Sequence, residues 1–123
     1  EGLSDVVRPL GWVPDEDLPA VLAAAALAVQ PSLYEGFGLP ILEHMASGQV
    51  VAASNASSHP EVGGEAAAYF DPENVEEMTA VIQRLLTDRD EYQLRRQLGF
   101  QQAATFSWQR AAQETIAVYE TLL

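Results

Sequence analysis

Four short apolar runs alternate with stretches of helical spacing in the first part of the chain, and this alternation constrains the fold more than any other feature. The runs are Val6-Val7-Arg8-Pro9-Leu10, Leu27-Ala28-Val29-Gln30, Val50-Val51-Ala52-Ala53 and Ala66-Ala67-Ala68-Tyr69-Phe70. Between the first two, Leu18, Val21, Leu22 and Ala25 share a helical face behind Asp15, a suitable N-cap. Between the second and third, Pro40 fits the first turn of a helix. Its inward side would be Ile41, Leu42, Met45 and Ala46, and Gly48 suits its C′ position. Short strands alternating with helices imply right-handed crossovers and a parallel sheet. Pro9 cannot donate to a ladder, so the first run belongs at an edge. A loop, Ser54-Asn55-Ala56-Ser57-Ser58-His59-Pro60-Glu61, follows the third run and is rich in residues that bond to nearby backbone.

From residue 74 onward the pattern is wholly helical. Asn74 with Glu77, Asp88 with Glu91, and Ser107 each read as the start of a helix. Val75, Met78, Val81, Ile82, Leu85 and Leu86 make one clear stripe, and Trp108, Ala112, Thr115, Ile116, Tyr119 and Leu122 make another. The expected organisation is one domain over 1–123, with strands and crossover helices in 1–73 and C-terminal helices in 74–123.

Composition narrows the function. With 123 residues, 48% of them hydrophobic, the chain can hold one core without staples. It has no cysteine, which excludes disulfides and thiolate metal sites. No apolar run reaches membrane-spanning length and the first residues do not resemble a signal peptide, so a soluble, cytoplasmic protein is expected. The net charge is −12, with 18 acids against 6 bases, and this disfavours nucleic-acid binding, which rests on cationic contacts to phosphates.

One corner stands out chemically. In Pro31-Ser32-Leu33-Tyr34-Glu35-Gly36-Phe37-Gly38-Leu39-Pro40, an apolar run ends, two glycines flank an aromatic, and a helix begins. Ligands of α/β sheets bind at such strand-to-helix corners. Gly36 and Gly38 let a ligand approach the backbone, and the helix start points unpaired N–H groups back at the loop, a geometry suited to phosphate. Glu35 in the loop and Glu43 on the helix could accept hydrogen bonds from sugar and ribose hydroxyls. Taken alone, two acids eight apart in so acidic a chain, or a single Gly-x-Gly turn, carry little.

The complete string carries more. Glu35-Gly36-Phe37-Gly38-Leu39-Pro40-Ile41-Leu42-Glu43 closely resembles the E-x7-E signature of group 1 glycosyltransferases, retaining enzymes of the two-Rossmann-domain GT-B class. Gly11-Trp12-Val13-Pro14-Asp15-Glu16-Asp17-Leu18, Pro31-Ser32-Leu33-Tyr34, Met45-Ala46-Ser47-Gly48, Val51-Ala52-Ala53-Ser54-Asn55, Pro60-Glu61-Val62, Tyr69-Phe70-Asp71-Pro72 and Phe106-Ser107-Trp108 resemble that family's C-terminal domain in the same order. The resemblance implies binding of a nucleotide-diphosphate sugar, as donor substrate and not as cofactor, and transfer of a hexosyl group with no obligatory metal. It implies Glu35 as the catalytic residue at the donor sugar, Glu43 on ribose hydroxyls, and the amides of Gly36, Phe37, Gly38 and Leu39 on sugar and diphosphate. Glu61 matches a loop glutamate of the family and reads first as architectural.

The same resemblance implies a chain truncated at its N-terminal side. The acceptor domain, the first two donor-domain strands and the Arg/Lys pair that grips the diphosphate would be missing, and Arg8 is the only base before Glu35. Losing two charge-assisted bonds weakens donor binding by about a hundred- to ten-thousand-fold, so the isolated chain is expected to bind weakly and to be catalytically silent. The fold expected is α/β: a partial Rossmann-like parallel sheet of about four strands, with helices on both faces and a helical C-terminal tail. Its order is 3-4-5-6 if the run 6–10 slides beside the run 27–30, or it is completed by a dimer. A homo-oligomer, or a missing N-terminal domain, is the expected partner. His44 and His59 lack a spaced carboxylate partner and predict no metal site, and His44 is expected at the surface. Trp12 and Trp108 are expected in the core or an interface. Two other readings remain at this level: a non-catalytic excised or engineered half-domain that self-associates, and an acidic protein-interaction domain.

Overall fold

Three parallel strands form the sheet of the computed structural model, which describes residues 2–122. The element order is α1 (Leu18–Ala24), β1 (Ala28–Gln30), α2 (Leu39–Ala46), β2 (Val51–Ser54), α3 (His59–Gly63), β3 (Ala68–Phe70), α4 (Val75–Thr87), α5 (Arg89–Ala104) and α6 (Trp108–Glu120). The sheet order is β1-β2-β3, with Ala28 opposite Val51 and Ala52 opposite Ala68.

β2 is the central strand, and all of its residues are buried. Alternate side chains of a strand point to opposite faces, so the chain from Val50 to Ala53 feeds two cores. Val51 and Ala53 pack with Ile41 and Met45 of α2, Val62 of α3 and the partly buried Leu98 of α5. Val50 and Ala52 pack with Phe70, Val81 and Leu85 on the α4 side. Helices on both faces are what a parallel sheet requires.

The helix boundaries follow local chemistry. Asn74 Oδ1 accepts from the Glu77 amide at 3.0 Å, Asp88 Oδ1 from Glu91 at 2.9 Å, and Ser107 Oγ from Arg110 at 3.1 Å. These are the three caps expected from the sequence. α2 ends with Gly48 at φ 81°, where its amide bonds to Met45 O and the Gln49 amide bonds to His44 O. This paired arrangement is a Schellman motif. No helix among the described residues is long and apolar enough to cross a membrane.

The sheet differs from expectation in its first run. Residues 6–10 form no strand and are exposed, and the Val6 and Val7 amides turn back onto Leu3 O. The order 3-4-5-6 is therefore not formed, and β1 keeps an open edge. Pro9 removes a ladder donor, and the run is exposed throughout, so among the described residues no packing holds it against β1. α1 begins at Leu18 rather than near Asp15, because Pro14 O takes the amides of Asp17 and Leu18 in a preceding turn. The loop after β2 contains an unexpected short helix, α3. Trp12 and Trp108 are 83% and 81% exposed, so neither is a core residue of this chain.

Candidate functional site

The corner between β1 and α2 lies at the C-terminal end of a parallel strand, as the sequence predicts. Gly38 caps α2 at φ 100°, a left-handed conformation that glycine adopts without penalty. A side chain there would also meet the His59 ring, with Cδ2 3.4 Å from the position of a Cβ. Among the described residues, the amides of Gly36, Phe37, Gly38 and Leu39 have no protein acceptor. Four unpartnered N–H groups around a helix start form a cradle for an anion or a hydroxyl oxygen.

Glu35 is half-buried at the mouth of this cradle and is held at every polar atom but one. Its Oε1 accepts from Ser32 Oγ at 2.8 Å and from Gln30 Nε2 at 3.0 Å. Its carbonyl accepts from Ser57 Oγ at 2.7 Å and Ser58 Oγ at 3.3 Å, and its amide donates to Ser57 Oγ at 3.3 Å. Oε2 has no hydrogen-bond partner among the described residues. Glu43 is exposed on α2 and borders an apolar groove of about 440 Å³ lined by Phe37, Leu39, Phe106 and Trp108. Phe37 and Phe106 meet edge to face at 5.9 Å, which ties the corner to the turn before α6. The structure thus places Glu35, Gly36, Phe37, Gly38 and Leu39 in one loop, with Glu43 one turn further along the helix and without a hydrogen bond between the two acids.

Several residues of this network are not evident from sequence. Ser54 Oγ has one proton and donates it to Ser32 O at 2.6 Å, so the 2.8 Å contact with His59 Nδ1 must be donated by the imidazole. His59 therefore carries its proton on Nδ1. It is fully buried, and its Nε2 has no partner among the described residues. The signal available in the sequence is the density of short polar residues from Ser54 to Ser58, which announces backbone bonding without naming the partner.

His44 is half-buried, not a surface residue as expected, and its Nδ1 has no partner among the described residues. Burial pulls its pKa below the ordinary imidazole value, partly opposed by the adjacent Glu43 carboxylate. Glu61 is exposed on α3 and takes no part in the network around Glu35. Three arginines of the C-terminal helices are engaged within those helices or with the chain beside them. Arg95 donates to Ala67 O at 2.7 Å and pairs with Glu91, Arg96 stacks on Phe100, and Arg110 pairs with Glu114. Among the described residues no three His, Asp or Glu side chains gather as a metal site.

Known proteins share both this sequence and this fold. O-antigen chain mannosyltransferase B of Escherichia coli is 47% identical over 116 residues, and the alignment covers 94% of this chain and 30% of that protein. MMP alpha-(1->4)-mannosyltransferase of Mycolicibacterium hassiacum is 46% identical over 123 residues, covering 97% of this chain and 30% of the relative. The solved sucrose-phosphate synthase of Thermosynechococcus elongatus superposes with a TM-score of 0.85 at 29% identity, over 98% of this chain and 31% of that one. The chain therefore spans about 30% of the length of these two mannosyltransferases. The family model for glycosyl transferases group 1 matches residues 1–103, and the chain belongs to that family.

Proposed function

We propose that the corner at Glu35 to Glu43 is the donor site of a retaining hexosyltransferase and binds a nucleotide-diphosphate sugar. Mannose is the first candidate sugar, because the two relatives that are 47% and 46% identical are named mannosyltransferases. The observation that carries the reading is the cradle of unpartnered amides from Gly36 to Leu39, with Glu35 fixed beside it and one carboxylate oxygen free. In this reading the amides meet diphosphate and sugar oxygens, Glu35 Oε2 contacts the donor sugar as the catalytic residue, and Glu43 accepts from ribose hydroxyls. Transfer with retention would take place on the face from which the diphosphate leaves.

Arg84, Arg95 and Arg110 are paired with acids, so the isolated chain is expected to hold the donor chiefly through the neutral amides of the cradle. Its dissociation constant is expected near or above about 1 mM, and turnover without an acceptor wall is expected to be absent. Titration of the 15N-labelled chain with GDP-mannose, UDP-glucose and GDP tests this directly. Perturbations should concentrate at Gly36, Gly38, Leu39 and Glu43. Silence at these amides with several millimolar of all three ligands would refute the donor site, and sugar transfer or hydrolysis above a buffer blank would refute the catalytic silence. Self-association of isolated chains is part of the same proposal, through the exposed apolar residues of α6, with those of the N-terminal run exposed as well.

A further inference from the structure

Ser57 is the one non-glycine residue among the described residues with a left-handed backbone, at φ 55°. A serine gains nothing there over glycine unless its hydroxyl is needed, and backbone outliers of this kind collect where a site must be held in place. Here the hydroxyl donates to Glu35 O at 2.7 Å and accepts from Glu35 N at 3.3 Å, closing both backbone groups of one residue 22 positions away. Ser58 adds a second donor to the same carbonyl. From the same loop, Ser54 pins Ser32 O, and Ser32 in turn donates to the Glu35 carboxylate. The far end of the loop is anchored by buried His59 and by the Tyr69 hydroxyl, which lies 2.8 Å from Gly64 O and 3.3 Å from His59 O.

We infer that residues 54–59 are a positioning brace for Glu35, with Ser57 as the residue that fixes its backbone. Among the described residues the brace makes no hydrogen bond to the cradle amides or to Glu35 Oε2, although His59 and Ser58 lie beside Gly38. It sets where Glu35 stands relative to both. The inference rests on the reading of the corner as a donor site, because only a ligand at that corner gives the fixed carboxylate a use.

Stability and positioning can be separated at Ser57, because its two properties pull in opposite directions. S57G removes the hydroxyl and also relieves the left-handed backbone, whereas S57A removes the hydroxyl and keeps the strain. The first readout is the side-chain amide of Gln30, which donates to Glu35 Oε1 and to Ser32 Oγ and has no hydrogen bond to Ser57. In the brace, S57G should melt at or above the wild-type temperature while the Gln30 amide protons lose their slow exchange and move toward free glutamine shifts. S57A should show the same Gln30 change with a lowered melting temperature. The second readout is GDP-mannose affinity, expected to weaken about three- to tenfold in S57G, as loss of one or two hydrogen bonds implies. An unchanged Gln30 amide in S57G overturns the brace, whatever the ligand does. If the wild-type chain fails to bind GDP-mannose, the donor-site reading falls on its own and the Gln30 amide still decides the brace.

Discussion

His44 couples the motif helix to pH. Burial of the imidazole outweighs the opposing pull of the Glu43 carboxylate, so the folded chain resists protonation that the unfolded chain accepts near the ordinary value of about 6.5. Below that pH the unfolded state binds more protons, and stability therefore falls as pH drops from about 6.5 through the lowered folded value, then levels off. Melting temperatures of wild type and H44Q should run parallel above neutral pH, with wild type losing ground to the variant only in that acidic window. Parallel curves throughout would remove His44 as the cause. Glu35, Glu43 and the two glycines are legible as candidates in sequence because their chemistry is contiguous and their string resembles a family signature. Ser57 is not, since nothing in a run of serines says that one of them will adopt φ 55° and reach a glutamate 22 residues earlier.

Elements that close their own ends are readable, and those that need a distant neighbour are not. The caps of α4, α5 and α6 each bridge three residues, so Asn74, Asp88 and Ser107 announce them locally. The run 6–10 has strand composition, but a strand exists only where another strand accepts it, and β1 leaves that edge open. The same distinction predicts how two similar caps differ. α5 packs on α2 through Gly99, where a Cβ would lie 3.3 Å from Met45 Cγ, so it unfolds with the core. α6 has no buried residue and is expected to unfold by itself. D88A should cost about 1 kcal/mol and lower the melting temperature by about 3–5 °C. S107A removes an equivalent bond but should leave the cooperative melt within about 1 °C and reduce only the helical circular dichroism before the transition. Equal shifts in the two variants would show that α6 is part of the cooperative unit.

Across the whole molecule, charge and apolar surface oppose each other. Trp108, Ile116, Val118 and Tyr119 of α6 are exposed, as are Val6, Val7, Leu10 and Trp12 of the N-terminal run, and exposed apolar groups in this number favour association. Each chain also carries a net charge of −12, which repels a second copy. Range decides which effect wins. A folded chain of this length has a radius of gyration of about 14 Å. At about 0.01 M salt the screening length is about 30 Å, so two chains feel each other's full charge before their surfaces meet. At about 1 M it is about 3 Å, and only side chains in contact interact electrostatically. Association through the apolar face should therefore be weak at low salt and strengthen as salt is added. Light scattering at fixed concentration should give the mass of one chain, 13.3 kDa, at the low end and rise toward twice that at the high end. W108S should hold the mass near one chain throughout, because it removes the largest side chain at the start of α6. The tryptophan emission of wild type should shift to the blue in step with the mass, as an exposed indole becomes covered. A single-chain mass at every salt concentration, or association that weakens as salt is raised, would show that this face does not join two copies and that the exposed apolar groups meet some other surface.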